Sequence, residues 1–223
     1  MSIKENLNNI KLSLPEHVTL VAVSKTKPVS DLMEAYHAGQ RIFGENKIQE
    51  MYEKYEQMPK DIEWHMIGHV QRNKVKYMAS FVGLIHGVDN FKLLNEINKQ
   101  AQKHNRIINC LFQIKIAEED SKFGMTTIEA SEIIQSKDFS DLENIKIVGV
   151  MGMATFTDDK NQIKKEFLQL KNTFTVLKQL DTKNSNMETI SMGMSGDYPL
   201  AIDCGSTMIR VGSSIFGSRS YSN

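Results

Sequence analysis

Short apolar runs alternate with longer stretches of helical periodicity from one end of the chain to the other. The runs VTLVAVS (18–24), RIFG (41–44), EWHMIG (63–68), FVGLIHGV (81–88), IINCLFQIKI (107–116), IKIVGVMGMA (145–154), ETISMG (188–193) and MIRVG (208–212) predict eight strands. Each is followed by a helical pattern. The clearest places Ile163, Phe167, Leu170, Phe174 and Leu177 on one face and leaves lysine and glutamine on the other. Phe91, Leu94, Ile97 and Ala101 form a second stripe. Asp89, Asp158 and Asp197 stand near helix starts, where a carboxylate accepts bonds from unpaired backbone amides. Ahead of the first strand, MSIKENLNNIKLSL reads as one additional capped helix.

Eight β-then-α units without a Gly/Ser/Pro-rich linker predict an α/β fold over residues 1–223: a single (β/α)8 TIM-type barrel domain with an extra N-terminal helix. The rival architecture is an open doubly wound sheet, but no strand leads into a G-x-G-x-x-G turn. A barrel makes a sharper demand. Its chemistry collects at the carboxyl ends of the strands, and a phosphate sits in the loops after strands seven and eight.

Composition narrows the partners. Twenty-seven basic residues balance twenty-seven acidic ones, so no long-range field favours nucleic acid or an anionic membrane, and an anion must be held by local geometry. The expected partner is a small molecule. Cys110 and Cys204 are too few for a disulfide framework or a zinc site and fit a reducing cytoplasm. No run approaches membrane-spanning length, and the first residues lack the apolar core of a signal peptide.

The predicted strand ends carry the candidate chemistry. Strand seven leads into SMGMSGDYP and strand eight into RVGSSIFGS. Small residues let backbone N–H groups approach an anion, and serines add donors, so Ser195, Gly196, Gly212 and Ser213 are candidate phosphate ligands. Arg210 lies within MIRVG; it either faces outward to a helix carboxylate or points inward at a ligand. In FGEN, Glu45 and Asn46 reach the rim after strand two, where Asn46 either bonds a ring substituent or caps the next helix. Lys25 ends strand one, on the same barrel face as the phosphate loops. A ligand with both an aldehyde and a phosphate would bridge them, and pyridoxal 5'-phosphate is such a ligand. Burial and the charge of Lys27 would favour the neutral amine that imine formation needs.

Other features take plainer readings. His65 and His69 lie in a strand-plus-loop segment without a carboxylate or cysteine at metal spacing, so no metal is expected. Arg72, Asn73, Lys74 and Lys76 read as a solvated helix face. Met151, Met153, Met192 and Met194 cluster near strand ends six and seven as core filler or as packing for a ring.

The segments AVSKTKP, FGEN, WHMIGHVQRNK, SKFGM, SMGMSGD and STMIRVGSSIFGSR, in this order, resemble the pyridoxal phosphate homeostasis proteins, whose barrel is similar to the amino-terminal domain of alanine racemase. The resemblance spans nearly the entire chain. It implies that Lys25 carries the cofactor as an internal aldimine, that Ser195 with the Gly212–Ser213 turn holds the phosphate, that Asn46 touches the ring side, and that Arg210 faces the pyridine nitrogen. A guanidinium there discourages ring protonation and weakens the cofactor as an electron sink. The β-rich second domain of alanine racemases, with its tyrosine acid/base, is not expected in a chain that ends at Asn223. The implied function is therefore intracellular cofactor homeostasis without efficient turnover, with apoenzymes as candidate recipients; eight helices can cover the barrel alone, so a monomer is expected. A racemase-like enzyme is the alternative, and a cofactor-free lysine aldolase is a third reading. Two departures from the family pattern stand out. Lys47 replaces an aromatic after GEN, and Lys115 at the strand-five end replaces asparagine, where an inward ammonium would repel Lys25 or compete for phosphate.

Overall fold

Eight parallel strands, each hydrogen-bonded to the next, close into a barrel in sequence order. They are β1 (Thr19–Val23), β2 (Ile42–Glu45), β3 (Glu63–Met66), β4 (Val82–Val88), β5 (Ile108–Gln113), β6 (Ile145–Met151), β7 (Ser185–Ser191) and β8 (Met208–Val211). The computed structural model describes residues 2–118, 123–180 and 182–217. Around the barrel lie α1 (Ile3–Ser13), α2 (Val29–His37), α3 (Ile48–Gln57), α4 (Phe91–Lys103), α5 (Thr127–Gln135), α6 (Lys137–Ser140), α7 (Lys160–Lys178), α8 (Tyr198–Asp203) and α9 (Ser213–Phe216).

Strand alternation builds two cores. Side chains from alternate positions, Val21, Leu84, Leu111, Met151 and Met208, fill the barrel interior. The opposite faces of the strands, with Phe43, Trp64 and Phe112 fully buried, pack against the helices. The α7 stripe behaves as its period demands: Ile163, Phe167, Leu170 and Leu177 are buried, while Phe174 is half-buried at the margin. Helix α1 starts with a capping box between Ser2 and Glu5, buries Leu7 and Ile10, and reaches α9 through Asn6 Nδ2 to Ile215 O at 3.1 Å.

The differences from expectation are local. Strand β7 begins at Ser185, three residues before the predicted 188, because polar Ser185 and Asn186 hide a segment whose Met187 is fully buried. The unit after β3 is a 3-10 turn (Arg72–Tyr77) rather than an α-helix. Capping falls one residue beyond two of the predicted aspartates. Asn90 accepts from Leu93 N in α4, and Asp159 accepts from Asn161 and Gln162 N in α7, because a cap side chain must reach amides two or three residues on. Cys110 and Cys204 are buried unpaired thiols. Burial pushes the pKa of both upward.

Candidate cofactor site

At the carboxyl ends of the strands a cavity of about 500 Å³ opens, within the size range of small-molecule sites. Lys25, Asn46, Ser195, Gly196, Arg210, Gly212 and Ser213 all line it, joined by the segment from Met153 to Asp158 after β6. The motif residues 121–122 and 218–219 lie outside the described residues.

Lys25 is presented by a strained turn. Thr26 has φ of 64°, a left-handed conformation that a β-branched residue rarely adopts. Its N–H donates to Glu50 Oε1 at 2.6 Å. Beneath it, the buried Lys54 Nζ donates to Ser24 O (2.8 Å), Glu45 Oε1 (2.7 Å) and Glu50 Oε1 (2.7 Å), and Ser24 Oγ donates to Glu45 Oε1 at 2.6 Å. Alternation puts this knot on the helix-facing side of β1 and β2, so that Lys25, two residues beyond Val23, falls on the cavity side. Burial raises the Glu45 pKa, against the pull of the Lys54 charge and its hydrogen bond.

The two glycine-rich loops meet. Gly212 N–H donates to Ser195 Oγ at 3.2 Å, and a Cβ built on Gly212 would stand 3.0 Å from Val23 O, so the strand-eight loop lies against the end of β1. Lys27 Nζ adds a bond to Phe216 O at 2.8 Å. On the other side, Asp197 turns back to accept Met194 N–H at 2.6 Å and folds Ser195 and Gly196 into a tight turn. It does so instead of capping α8. Burial raises the Asp197 pKa, opposed by the Met194 N–H and by the Arg210 charge. Gly193 is required before this turn: its φ is +96°, and a Cβ there would lie 2.6 Å from Ala201 Cβ. The first amides of α9 have no partner within the helix, and its N-cap, Gly212, has no side chain to cover them.

Arg210 points inward, which decides between its two sequence readings. It is 4% exposed. Its Nη1 donates to Ser191 O at 2.8 Å and Ser191 Oγ at 2.6 Å, and its Nη2 to Gly152 O at 3.1 Å. Burial lowers its pKa to about 10, so the group stays cationic at neutral pH. Three of the five N–H donors of the guanidinium are thereby committed, and two have no acceptor among the described residues.

The remaining candidates separate. Asn46 lines the cavity and is not a cap, since the N-cap of α3 is Lys47. Glu45 is buried on the helix side rather than at the rim. Lys47 and Lys115 are exposed, and neither lines the cavity, so the expected inward ammonium at 115 is absent from its wall. The cause is a break in alternation: Gln113 is the inward residue at the end of β5 and a regular strand would bring Lys115 to the same side, but the chain turns there to bond Lys115 N to Met125 O. His69 stacks on Phe123 with ring centroids 4.6 Å apart, while His65 lies inside the barrel. Met153 and Met194 line the cavity, whereas Met151 and Met192 are core. Sequence reasoning missed Thr155, Phe156 and Thr157, although a polar TFTDD loop at a predicted strand end was the available signal.

The family model described as alanine racemase, N-terminal domain, matches residues 1–220. A pyridoxal phosphate homeostasis protein of Pasteurella multocida (strain Pm70) is 39% identical over 235 residues, covering 100% of both chains. The chain belongs to this family. Among solved structures, PipY of Synechococcus elongatus PCC7942 matches with TM-score 0.91 without PLP and 0.88 with PLP bound, at 32% identity over 97% of this chain and 100% of that one. An alanine racemase of Clostridium difficile 630 matches with TM-score 0.80 at 18% identity, covering 99% of this chain and 61% of the racemase, which is a likeness of fold. Family members of this kind thus keep the barrel that racemases share.

Proposed function

We propose that this chain binds pyridoxal 5'-phosphate in the cavity and serves cofactor homeostasis, holding and releasing the cofactor without efficient turnover. The observation that carries the reading is the convergence of Lys25, the Ser195–Gly212 contact and the two uncommitted Arg210 donors on one cavity. Relatives named for this role and the PLP-bound PipY support it. The donor set suits the group at both ends. Ser195 Oγ with the amides of Gly196, Ser213 and Ser214 provides for a phosphate, and Arg210 for a ring nitrogen that only accepts. Lys25 would supply the amine that holds the aldehyde, once it has given up its proton. When bound, the cofactor would supply an electron sink, and the Arg210 cation at the cavity wall would blunt that capacity by discouraging ring protonation. Turnover suffers, and storage does not.

The same reading takes residues 1–223 as one domain acting as a cytoplasmic monomer, with apoenzymes as recipients. Among the described residues no helix is long and apolar enough to cross a membrane. The test is direct. Purified protein mixed with pyridoxal phosphate should gain visible absorbance that borohydride converts to a stable pyridoxyl adduct on the Lys25 peptide, and Lys25→Ala should show neither. A protein that takes up no cofactor, or an adduct on another lysine alone, overturns the reading.

A further inference from the structure

Behind the cavity wall runs a chain of buried hydrogen bonds that the proposed function leaves unused. Arg210 Nη1 lies 2.6 Å from Ser191 Oγ, Ser191 Oγ lies 3.0 Å from His86 Nδ1, His86 Nε2 lies 3.0 Å from His65 Nδ1, and His65 Nε2 lies 2.9 Å from Glu63 Oε1. His86 and Ser191 are fully buried and His65 nearly so. Glu63 is the first residue of β3, and its side chain is 53% exposed. Four links therefore lead from the cavity wall to solvent at the amino-terminal end of β3.

With both imidazoles neutral, one arrangement of protons satisfies all four. A guanidinium only donates, so Ser191 Oγ accepts from Arg210 and has its own hydrogen to give. That hydrogen goes to His86 Nδ1, which must be bare. His86 then carries its proton on Nε2 and donates to a bare His65 Nδ1. His65 in turn carries its proton on Nε2 and donates to the Glu63 carboxylate. For two neutral imidazoles the Glu63 carboxylate, which only accepts, fixes the direction of every bond back to Ser191, and aligned bonds of this kind polarise one another. The surrounding charges agree. Burial first, then His65 and Arg210, hold the His86 pKa well below its ordinary value, and the bond from His65 holds the Glu63 pKa low. Asp197 is the other charged group near Arg210.

We propose that Glu63, His65, His86 and Ser191 are positioning residues, a one-directional relay with both imidazoles in the Nε2–H form, which fixes the Arg210 guanidinium so that its two uncommitted donors face the cavity. The geometry of the relay stands without a ligand; only its effect on cofactor affinity rests on the pyridoxal phosphate reading.

The experiment separates the two. In protein labelled with 15N in histidine and arginine and free of cofactor, long-range proton–nitrogen correlation at neutral pH should show a protonated Nε2 and a bare Nδ1 for both His65 and His86. Glu63→Ala, at the solvent end, should disturb both tautomers and shift the Arg210 side-chain resonances three links away. Glu63→Gln retains an acceptor oxygen and should restore them. In the same series, the pyridoxal phosphate dissociation constant should rise roughly fivefold in Glu63→Ala, the worth of one buried hydrogen bond, and return in Glu63→Gln. An Nδ1–H or doubly protonated imidazole in the wild type, or Arg210 resonances unmoved by Glu63→Ala, overturns the relay whether or not cofactor binds. Failure of the wild type to bind cofactor overturns the function and leaves the relay to be judged on the resonances alone.

Discussion

Replacing Lys54 by methionine tests how the turn that presents Lys25 is held. The Lys54 side chain is 7% exposed and the Glu45 carboxylate it pairs with through Oε1 is fully buried, with Oε2 lacking any hydrogen-bond partner among the described residues. Truncating one member of a buried pair strands the other, at a cost of about 3–5 kcal/mol, or a fall in Tm of roughly 10 °C for a chain of this length. The pH dependence has a definite sign. Burial already raises the Glu45 pKa, and Lys54 is the chief force opposing that rise. Without Lys54 the folded-state pKa climbs further above the unfolded value of about 4.3. A carboxyl with a raised folded pKa contributes its stability in full below the unfolded pKa and loses it as pH rises through the folded one. The Lys54→Met deficit should therefore be largest near pH 8 and narrow toward pH 5, in urea denaturation followed by far-ultraviolet circular dichroism. Because Lys54 also holds Ser24 O and Glu50, whose Oε1 anchors Thr26 N–H, cofactor uptake on Lys25 should fall in parallel. Pairing the change with Glu45→Met should recover most of the stability, since an apolar pair replaces the ionic one without a stranded charge. A single variant within about 1 kcal/mol of wild type, or a double variant no better than the single, would refute the reasoning.

Thr26→Gly should raise stability by about 1 kcal/mol in the urea midpoint, because glycine relieves the left-handed φ of 64° and the exposed threonine side chain loses little packing. Gly193→Ala should cost about 2–3 kcal/mol, through its φ of +96° and the 2.6 Å approach to Ala201 Cβ. Since Gly193 O accepts Arg210 N–H at 2.9 Å, titration should also show weaker pyridoxal phosphate binding in that variant.

Much of the barrel was legible because strand and helix periods are local properties, and each predicted apolar run contains its observed strand core. The cavity was legible for a different reason: a closed barrel fixes where strand ends go, so Lys25, Ser195 and Gly212 met once topology was granted. What stayed hidden depends on side-chain direction. Arg210 was ambiguous because either face of a strand accepts an arginine if partners exist, and its partners come from β7 and the residue after β6. Lys115 was misplaced because an irregular strand end breaks the alternation that sequence counting assumes. Neither the Lys54 knot nor the histidine relay announces itself, since Glu45 lies nine residues from Lys54, and Ser191 lies 105 from His86.

Two basic residues of the cavity are positioned through different groups. On either side of position 25 the backbone is pinned, from the helix side, by Glu50 and Lys54. At position 210 it is the head group that is pinned, by Ser191 and Gly152 from inside the barrel. A donor that is to set the state of a ring nitrogen must stay still. Charge alone does not meet that demand. A lysine at 210 would offer three donors, the three acceptors that now fix Arg210 would take them all, and none would remain for the ligand.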